Sequence, residues 1–125
     1  MGVAAIARMQ FVSATMQVTP REFLIYRSAD GRLPFSEWLA SLHDPRARAK
    51  IRVRLDRVSL GNFGDCHSVG EGVHELRIVY GRGYRVYFGQ LGSTIVLLPS
   101  RGDESTQAQD IELAKFYWSE YRRRA

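Results

Sequence analysis

The sequence predicts an α+β fold, in which an antiparallel β-sheet carries helices packed mostly on one of its faces. Three observations indicate this fold: two short strands of alternating apolar residues within 75–88, helical periodicity across 34–60, and a final helical segment that starts near residue 105. Antiparallel strands can be joined by short hairpin turns, whereas parallel strands need longer crossovers. Because the predicted strands of the second half follow one another through short turns, the antiparallel arrangement is favoured.

The chain has 125 residues, a length typical of one domain, and 45% of them are hydrophobic, which is enough for one core. A single cysteine, Cys66, excludes an internal disulfide and is compatible with a reducing compartment. No apolar run approaches the length of a membrane span, so we expect a cytoplasmic protein without membrane contact. Residues 1–15 show no periodicity and are interpreted as an extension, for which disorder and a non-native origin both stay open. The folded domain is expected to span residues 16–125.

The first half of the chain predicts one strand and two helices. Phe23–Tyr26 are typical of a short strand, and Pro34 opens a helix with apolar residues at helical spacing. Asp44 is a good N-cap and Pro45 suits the first position of a second helix, which should end before Gly61. The buried stripe of this second helix is predicted to comprise Ala47, Ile51, Leu55 and Val58.

The second predicted helix also carries a basic face. Its members are Arg46, Lys50, Arg54 and Arg57, joined by Arg48 and Arg52. The chain has a net charge of +5, and clustered positive charge is what a protein needs to contact nucleic-acid phosphates. The simpler alternative is a solvated helix face with no binding role.

The second half predicts strands and a final helix. A short strand is expected around His67–Val69, followed by a turn at Gly70–Gly72. The continuous apolar run Thr94–Leu98 is typical of a central strand that is covered on both faces. A last helix starts near Ser105, and its sheet-facing residues are predicted to be Ile111, Ala114, Trp118 and Tyr121.

The central feature is a hairpin within residues 75–88. Alternate residues of a strand point to the same face, so the apolar residues of both strands should line one side. These residues are Leu76, Ile78, Tyr80, Tyr84, Val86 and Phe88. Parity then requires an odd-length loop, for which we predict a three-residue turn of Gly81, Arg82 and Gly83. In this register Arg77 lies opposite Tyr87, and Arg85 lies opposite Val79.

The other hairpin face therefore carries Arg77, Arg85 and Tyr87, with Glu75 near its end. Arginine pairs with phosphate through a planar fork, and it can stabilise the charge that develops during phosphoryl chemistry. Tyrosine beside it can stack on a base, or move a proton if its pKa is lowered. An ordinary cross-strand contact to Glu75 is the equally weighted alternative.

Other kinds of site find little support in the sequence. His43, His67 and His74 do not form a metal-ligand spacing with Cys66, and the glycine clusters do not form a nucleotide-binding loop. We therefore expect neither a metal ion nor a cofactor.

Several stretches together resemble one family. PFSEWLASLHDPRARAKIRVRLDRVSLGNFGD, GEGVHELRIVYGRGYRVYF, LLPSRGD and STQAQDIELAKFYW are similar, in this order, to the addiction module killer group of RelE/ParE-like toxins, which also includes HigB-like proteins. The resemblance implies a compact domain with a curved antiparallel sheet of four to five strands, two N-terminal helices and a C-terminal helix. It also implies an antitoxin partner, usually a helix-turn-helix protein, through which the toxin reaches operator DNA.

The RelE branch of this family implies a specific activity, namely cleavage of messenger RNA on the ribosome without a metal ion. The ribose 2′-hydroxyl attacks the adjacent phosphate, and the toxin supplies basic residues. On this resemblance Arg85 and Arg77 are the expected catalytic residues, assisted by Tyr87. Expected contacts to RNA and the ribosome come from Arg101, Arg46, Lys50, Arg54 and Arg57.

Two alternatives stay open. The ParE branch shares the fold but inhibits DNA gyrase by protein contact, without cutting RNA. In addition, related sequences read Gly-Gly-Asp-Lys where this chain has Arg101-Gly102-Asp103-Glu104. The acid in place of lysine implies a weakened toxin that acts mainly as antitoxin partner and co-repressor.

Overall fold

A computed structural model describes residues 21–100, 102 and 104–124, apart from the side chain of Glu104. The elements follow in the order β1 (Glu22–Ile25), α1 (Pro34–Ser41), α2 (Pro45–Ser59), β2 (Cys66–Gly70), β3 (Val73–Ile78), β4 (Tyr84–Leu91), β5 (Thr94–Leu97), a 3-10 turn (Glu104–Thr106) and α3 (Gln107–Arg124). The predicted α+β class and its three helices are confirmed. The expectations for the N-terminal extension, residues 1–15, lie outside the described residues.

The five strands form one sheet in the order β1-β5-β4-β3-β2. β2, β3, β4 and β5 pair with their neighbours in antiparallel fashion, but β1 pairs with β5 in parallel, with Phe23 opposite Ile95. The prediction of a purely antiparallel sheet is therefore wrong at this one pair. The reason is the long connection, since both helices and three strands intervene between β1 and β5, and such a crossover permits a parallel pair.

Helices cover both faces of the sheet, so the prediction that they pack mostly on one side is wrong. Both sheet faces are apolar at the centre, because Ile95 and Leu97 join the core cluster with α1 and α2, whereas Val96 and Leu98 join the cluster with α3. The continuous apolar run of β5 requires a cover on each side. α3 supplies the second cover.

The boundaries of α2 follow from the residues that were predicted to set them. The Asp44 carboxylate accepts a hydrogen bond from the backbone N–H of Arg46, and Pro45 is the first helical residue. Past the C-terminal end, Gly61 has a φ of +93° and its N–H donates to the carbonyl of Val58 at 2.9 Å. The predicted apolar stripe of Ala47, Ile51, Leu55 and Val58 is buried.

A glycine on β4 lets α3 approach the sheet closely. The Trp118 ring lies directly over Gly89, where an added Cβ would come within 2.4 Å of the indole. Tyr121 stacks on the same indole at 5.8 Å between ring centroids. Gly89 therefore provides the space that seats α3 against β4.

Candidate functional site

The register of the β3–β4 hairpin differs from the predicted one by two residues. Arg77 lies opposite Arg85, and Glu75 lies opposite Tyr87. The predicted pairing of Arg77 with Tyr87 is wrong, but the assignment of faces holds because a shift of two residues preserves parity. Five residues rather than three leave the ladder, and Gly83 N–H closes the turn onto the carbonyl of Tyr80 at 2.8 Å.

A buried carboxylate organises the polar face of the hairpin. Glu75 is only 1% exposed. Its Oε1 accepts from Arg77 Nε at 2.9 Å, and its Oε2 accepts from both Tyr87 Oη and Gln107 Nε2 at 2.8 Å. Arg85 Nε lies 3.6 Å from Oε2. We call these five residues the Glu75 cluster; it joins β3, β4 and the start of α3.

Hydrogen bonds keep the Glu75 carboxylate ionised. Burial acts to raise its pKa, but the hydrogen bonds from Arg77, Gln107 and Tyr87 outweigh burial, and the net pKa is lowered. One carboxylate therefore offsets one of the two guanidinium charges that face each other across the hairpin. The Glu75 cluster itself therefore carries a net positive charge.

Tyr87 is buried in the structure, whereas the sequence analysis expected it to be accessible to RNA. Its side chain is 0% exposed and belongs to the core cluster beneath α3. Burial first, and then the hydrogen bond to Glu75, raise the pKa of its hydroxyl well above the usual range. A buried ring offers no face to a base, and a raised pKa opposes proton release. The expected roles of Tyr87 in stacking and proton transfer are therefore corrected to one inside the Glu75 cluster.

The two arginines differ in access to solvent. The Arg77 side chain is 41% exposed, whereas that of Arg85 is 14% exposed. Within the described part of the chain, Arg85 Nε is buried without a hydrogen-bond partner. The backbone N–H of Arg85 donates to the carbonyl of Gly102 at 3.1 Å, and Gly102 lies against the Trp38 ring. Arg85 is thus fixed at its backbone while one of its polar side-chain atoms is unsatisfied.

A groove of about 640 Å³ lies between α2 and the end of β3. We call it the helix groove. Its basic lining residues are Arg46, Lys50, Arg54, Arg57 and Arg77. The structure thus brings the predicted basic face of α2 together with one of the two hairpin arginines.

The basic residues of the helix groove are not equivalent. Arg54 donates to the carbonyls of Phe63 and Asp65, at 2.7 and 3.2 Å, and burial lowers its pKa. Arg54 therefore anchors the loop after α2. Arg46 and Arg57 are exposed on the groove surface and are better placed to reach an anion.

A second groove of about 330 Å³ follows the hairpin tip, and we call it the hairpin groove. It contains Arg82 and Arg85 and shares Arg77, Asp65, Ile78 and Val79 with the helix groove. The two grooves are therefore adjacent, and Arg77 lies where they meet.

Some predicted site residues cannot be placed. Arg101 lies outside the described residues, as does the side chain of Glu104. Within the described ranges, no group of three histidine, cysteine or acidic residues could hold a metal ion. None of the helices in these ranges is both long and apolar enough to cross a membrane.

Sequence reasoning missed two features of the site. Glu75 was placed on the correct face by parity, but its partner Gln107 comes from a distant element that no local pattern connects to the hairpin. Asp65, which precedes β2, was not among the predicted site residues, yet it lines both grooves and contacts His67. The acid at the end of a glycine-containing loop before a strand was the available signal.

Comparison with known proteins finds a bacterial relative. A protein of Haemophilus influenzae described as an uncharacterized protein is 49% identical over 83 residues, which cover 66% of this chain and 84% of the relative. The chain belongs to the same family as this Haemophilus protein. No family model matches the chain.

Proposed function

We propose that this protein is the toxin of a type II toxin–antitoxin module and that it cleaves messenger RNA on the ribosome. The observation that carries the proposal is the pair of adjacent grooves, in which the basic face of α2 continues through Arg77 to Arg85. A line of cations along one surface matches the regular negative charge of a single RNA strand. The similarity of the sequence to RelE/ParE-like toxins supplies the reaction.

The roles of the two hairpin arginines follow from their positions. Arg77 is half-exposed at the meeting point of the grooves, so it binds the phosphate next to the cleaved bond. Arg85 lines the hairpin groove with its side chain only 14% exposed, so its guanidinium group stabilises, in a low-dielectric position, the charge that builds on phosphorus during attack by the 2′-hydroxyl. Glu75 holds both guanidinium groups, and Arg46, Lys50 and Arg57 bind flanking RNA.

Regulation of the proposed toxin requires a protein partner. In this proposal the partner is a cognate antitoxin, expected to be a helix-turn-helix protein, and operator DNA is reached only through it. The basic grooves would be masked in that complex, since free access to RNA would be toxic to the cell.

A second candidate function is inhibition of DNA gyrase by direct protein contact. Exposed apolar residues favour it, because Val79 is 91% exposed and Val53 is 49% exposed, and both line the helix groove. Apolar side chains among cations are typical of protein interfaces that combine burial with charge complementarity. The third candidate function is that of a weakened toxin that acts as co-repressor.

An in vitro translation reaction with mapping of mRNA ends separates these functions, with a gyrase supercoiling assay in parallel. We expect cuts at defined codon positions for the wild type, and a loss of at least about 100-fold for Arg85→Ala. Arg52→Ala is the matched control, because Arg52 is exposed on α2 but lines neither groove. Gyrase inhibition without mRNA cuts would support the second function. The absence of both activities would support the co-repressor function.

A further inference from the structure

We propose that His67 and Asp65 form the proton-transfer pair of this site, with His67 as the group that accepts the proton of the attacking 2′-hydroxyl. This inference rests on the proposed function. It starts from a contact on the surface: His67 Nε2 lies 2.6 Å from Asp65 Oδ1. Both side chains are accessible, at 52% and 47% exposure, so a substrate can reach the imidazole.

The sheet register places this pair on the face of the two arginines. His67 lies opposite Glu75 in the β2–β3 ladder, and directly opposite residues of an antiparallel pair share a face. Arg77 follows Glu75 on the same face. Asp65 lines both grooves, and its carbonyl accepts the backbone N–H of Arg77 at 3.0 Å. His67 is not a lining residue of either groove, and its imidazole adjoins the proposed phosphate site through its contact with Asp65.

The carboxylate sets the tautomer of the imidazole. With Asp65 accepting from Nε2–H, the other ring nitrogen, Nδ1, carries a lone pair and can accept a proton. An aspartate that orients a histidine in this way also stabilises the imidazolium after proton transfer. Besides Asp65, which contacts its ring, the charged groups of β3 and β4 on the face of His67 are Glu75, Arg77 and Arg85, of which Glu75 already pairs with both arginines.

The proposed step couples a proton transfer to cleavage of the phosphodiester bond. Nδ1 of His67 takes the proton of the 2′-hydroxyl, the oxygen electron pair forms a bond to phosphorus, and the bond from phosphorus to the 5′-oxygen breaks. A solvent water protonates the departing 5′-oxygen, and the resulting hydroxide is neutralised by the imidazolium proton. The products are a 2′,3′-cyclic phosphate and a 5′-hydroxyl.

The other groups near the grooves are less suited to this step. Arginine cannot give up its proton near neutral pH, so Arg77 and Arg85 cannot act as bases. The Tyr87 hydroxyl is buried and donates to Glu75. Within the described part of the chain, His67 is the accessible imidazole on the face of the arginines, since His74 of β3 stacks on Phe88 of the opposite face.

Single-turnover cleavage of ribosome-bound mRNA tests the inference with four proteins: wild type, His67→Gln, Asp65→Asn and the control His43→Gln. We expect His67→Gln to slow cleavage by about 100- to 10,000-fold, and Asp65→Asn to slow it by about 10- to 100-fold. Because His67 is exposed, ribosome binding should stay within about twofold of the wild type. His43, an exposed histidine after α1, should have no effect.

The pH profile separates proton transfer from a purely structural role. A general base makes the cleavage rate rise with pH, so the wild-type rate should show such a rise, and this rise should vanish in His67→Gln. Wild-type cleavage with an unchanged rate and pH profile in His67→Gln would overturn the inference and leave the proposed function intact. A wild type that cuts no mRNA would overturn both.

Discussion

The two faces of the β3–β4 hairpin show two ways in which one pair of strands is held in place. One face is apolar and packs against α1 and α2, with Leu76, Val86 and Phe88 at most 1% exposed. The opposite face buries a carboxylate among two guanidinium groups, a phenol and an amide. Burial of apolar area stabilises the packing of the first face. The second face depends on the hydrogen bonds and ion pairs that the Glu75 carboxylate makes.

This difference has a functional consequence. The apolar face is held by burial, which does not depend on the protonation of any group within it. The polar face is costly to bury, and it carries Arg77 at the end of β3, where the two grooves meet. Burial of the apolar face thus stabilises a hairpin whose opposite face includes costly buried charges.

Replacement of Glu75 is expected to give the largest effect. Glu75→Gln removes the carboxylate that pairs with both arginines, so two like charges would face each other without compensation. We expect the free energy of unfolding to fall by about 3 kcal/mol, measured by urea denaturation. Glu71→Gln is the matched control, because Glu71 is 70% exposed and should change stability little. Equal effects of the two substitutions would contradict a central role for Glu75.

The contact of α3 with β4 should give the next largest effect. Gly89→Ala places a methyl group within 2.4 Å of the Trp118 indole, and we expect a loss of about 2 kcal/mol in thermal or urea unfolding. In a double-mutant cycle, Trp118→Leu should relieve much of this cost, because the smaller side chain leaves room. Strictly additive effects would show that Trp118 does not set the distance of α3.

The polar side of the sheet should also lose stability at both extremes of pH. The pKa of Glu75 is lowered in the folded state, so its contribution is present above the unfolded pKa of about 4.3 and is lost as pH falls through the folded value. Burial, then the hydrogen bond to Glu120, raise the pKa of Tyr26 to about 12. That contribution is fully present below about pH 10 and is lost as pH rises through about 12.

Unfolding curves measured from pH 2 to 12 check the expected loss of stability at both acidic and alkaline pH. Tyr26→Phe removes one titrating group beneath α3, so its stability should decline less steeply above pH 10 than that of the wild type. Leu76→Ala, on the apolar face, should lower stability by a similar amount at every pH. An alkaline limb that is unchanged in Tyr26→Phe would rule out this tyrosine as its source.

A smaller effect separates two arginines of the helix groove. Arg54→Ala removes two hydrogen bonds to the carbonyls of Phe63 and Asp65, and we expect a loss of about 1 kcal/mol in urea denaturation. Arg57→Ala should leave stability unchanged, since Arg57 is exposed on the groove surface. If both variants were equally stable, Arg54 would not act as a loop anchor.

Local patterns predicted much of the fold. Three predictions for α2 were confirmed, namely the N-cap Asp44, the end before Gly61 and the apolar stripe. Helix caps and periodicity depend on residues that are close together in the sequence. Parity likewise assigned the faces of the hairpin. It did not fix the register, because five-residue and three-residue loops preserve the same faces, and the turn is closed by a backbone contact between Tyr80 and Gly83.

Long-range pairing was the part that local patterns could not supply. Nothing near β1 indicates that it will lie parallel to β5 across some seventy residues. The buried state of Tyr87 was missed for the same reason, because the helices were expected mostly on one face of the sheet, whereas α3 covers the face that carries Tyr87. The candidate arginines were found by parity and family resemblance, whereas Gln107 and Asp65 required the three-dimensional arrangement.

The salt dependence of single-stranded RNA binding tests most directly whether the two grooves form one phosphate-binding surface. Arg57→Ala, in the helix groove, and Arg85→Ala, in the hairpin groove, should each reduce the slope of log affinity against log salt by about 0.7, and the double variant by about twice that. Arg52→Ala should leave the slope unchanged. A slope that neither groove variant alters, or that Arg52→Ala alters equally, would contradict a shared RNA surface.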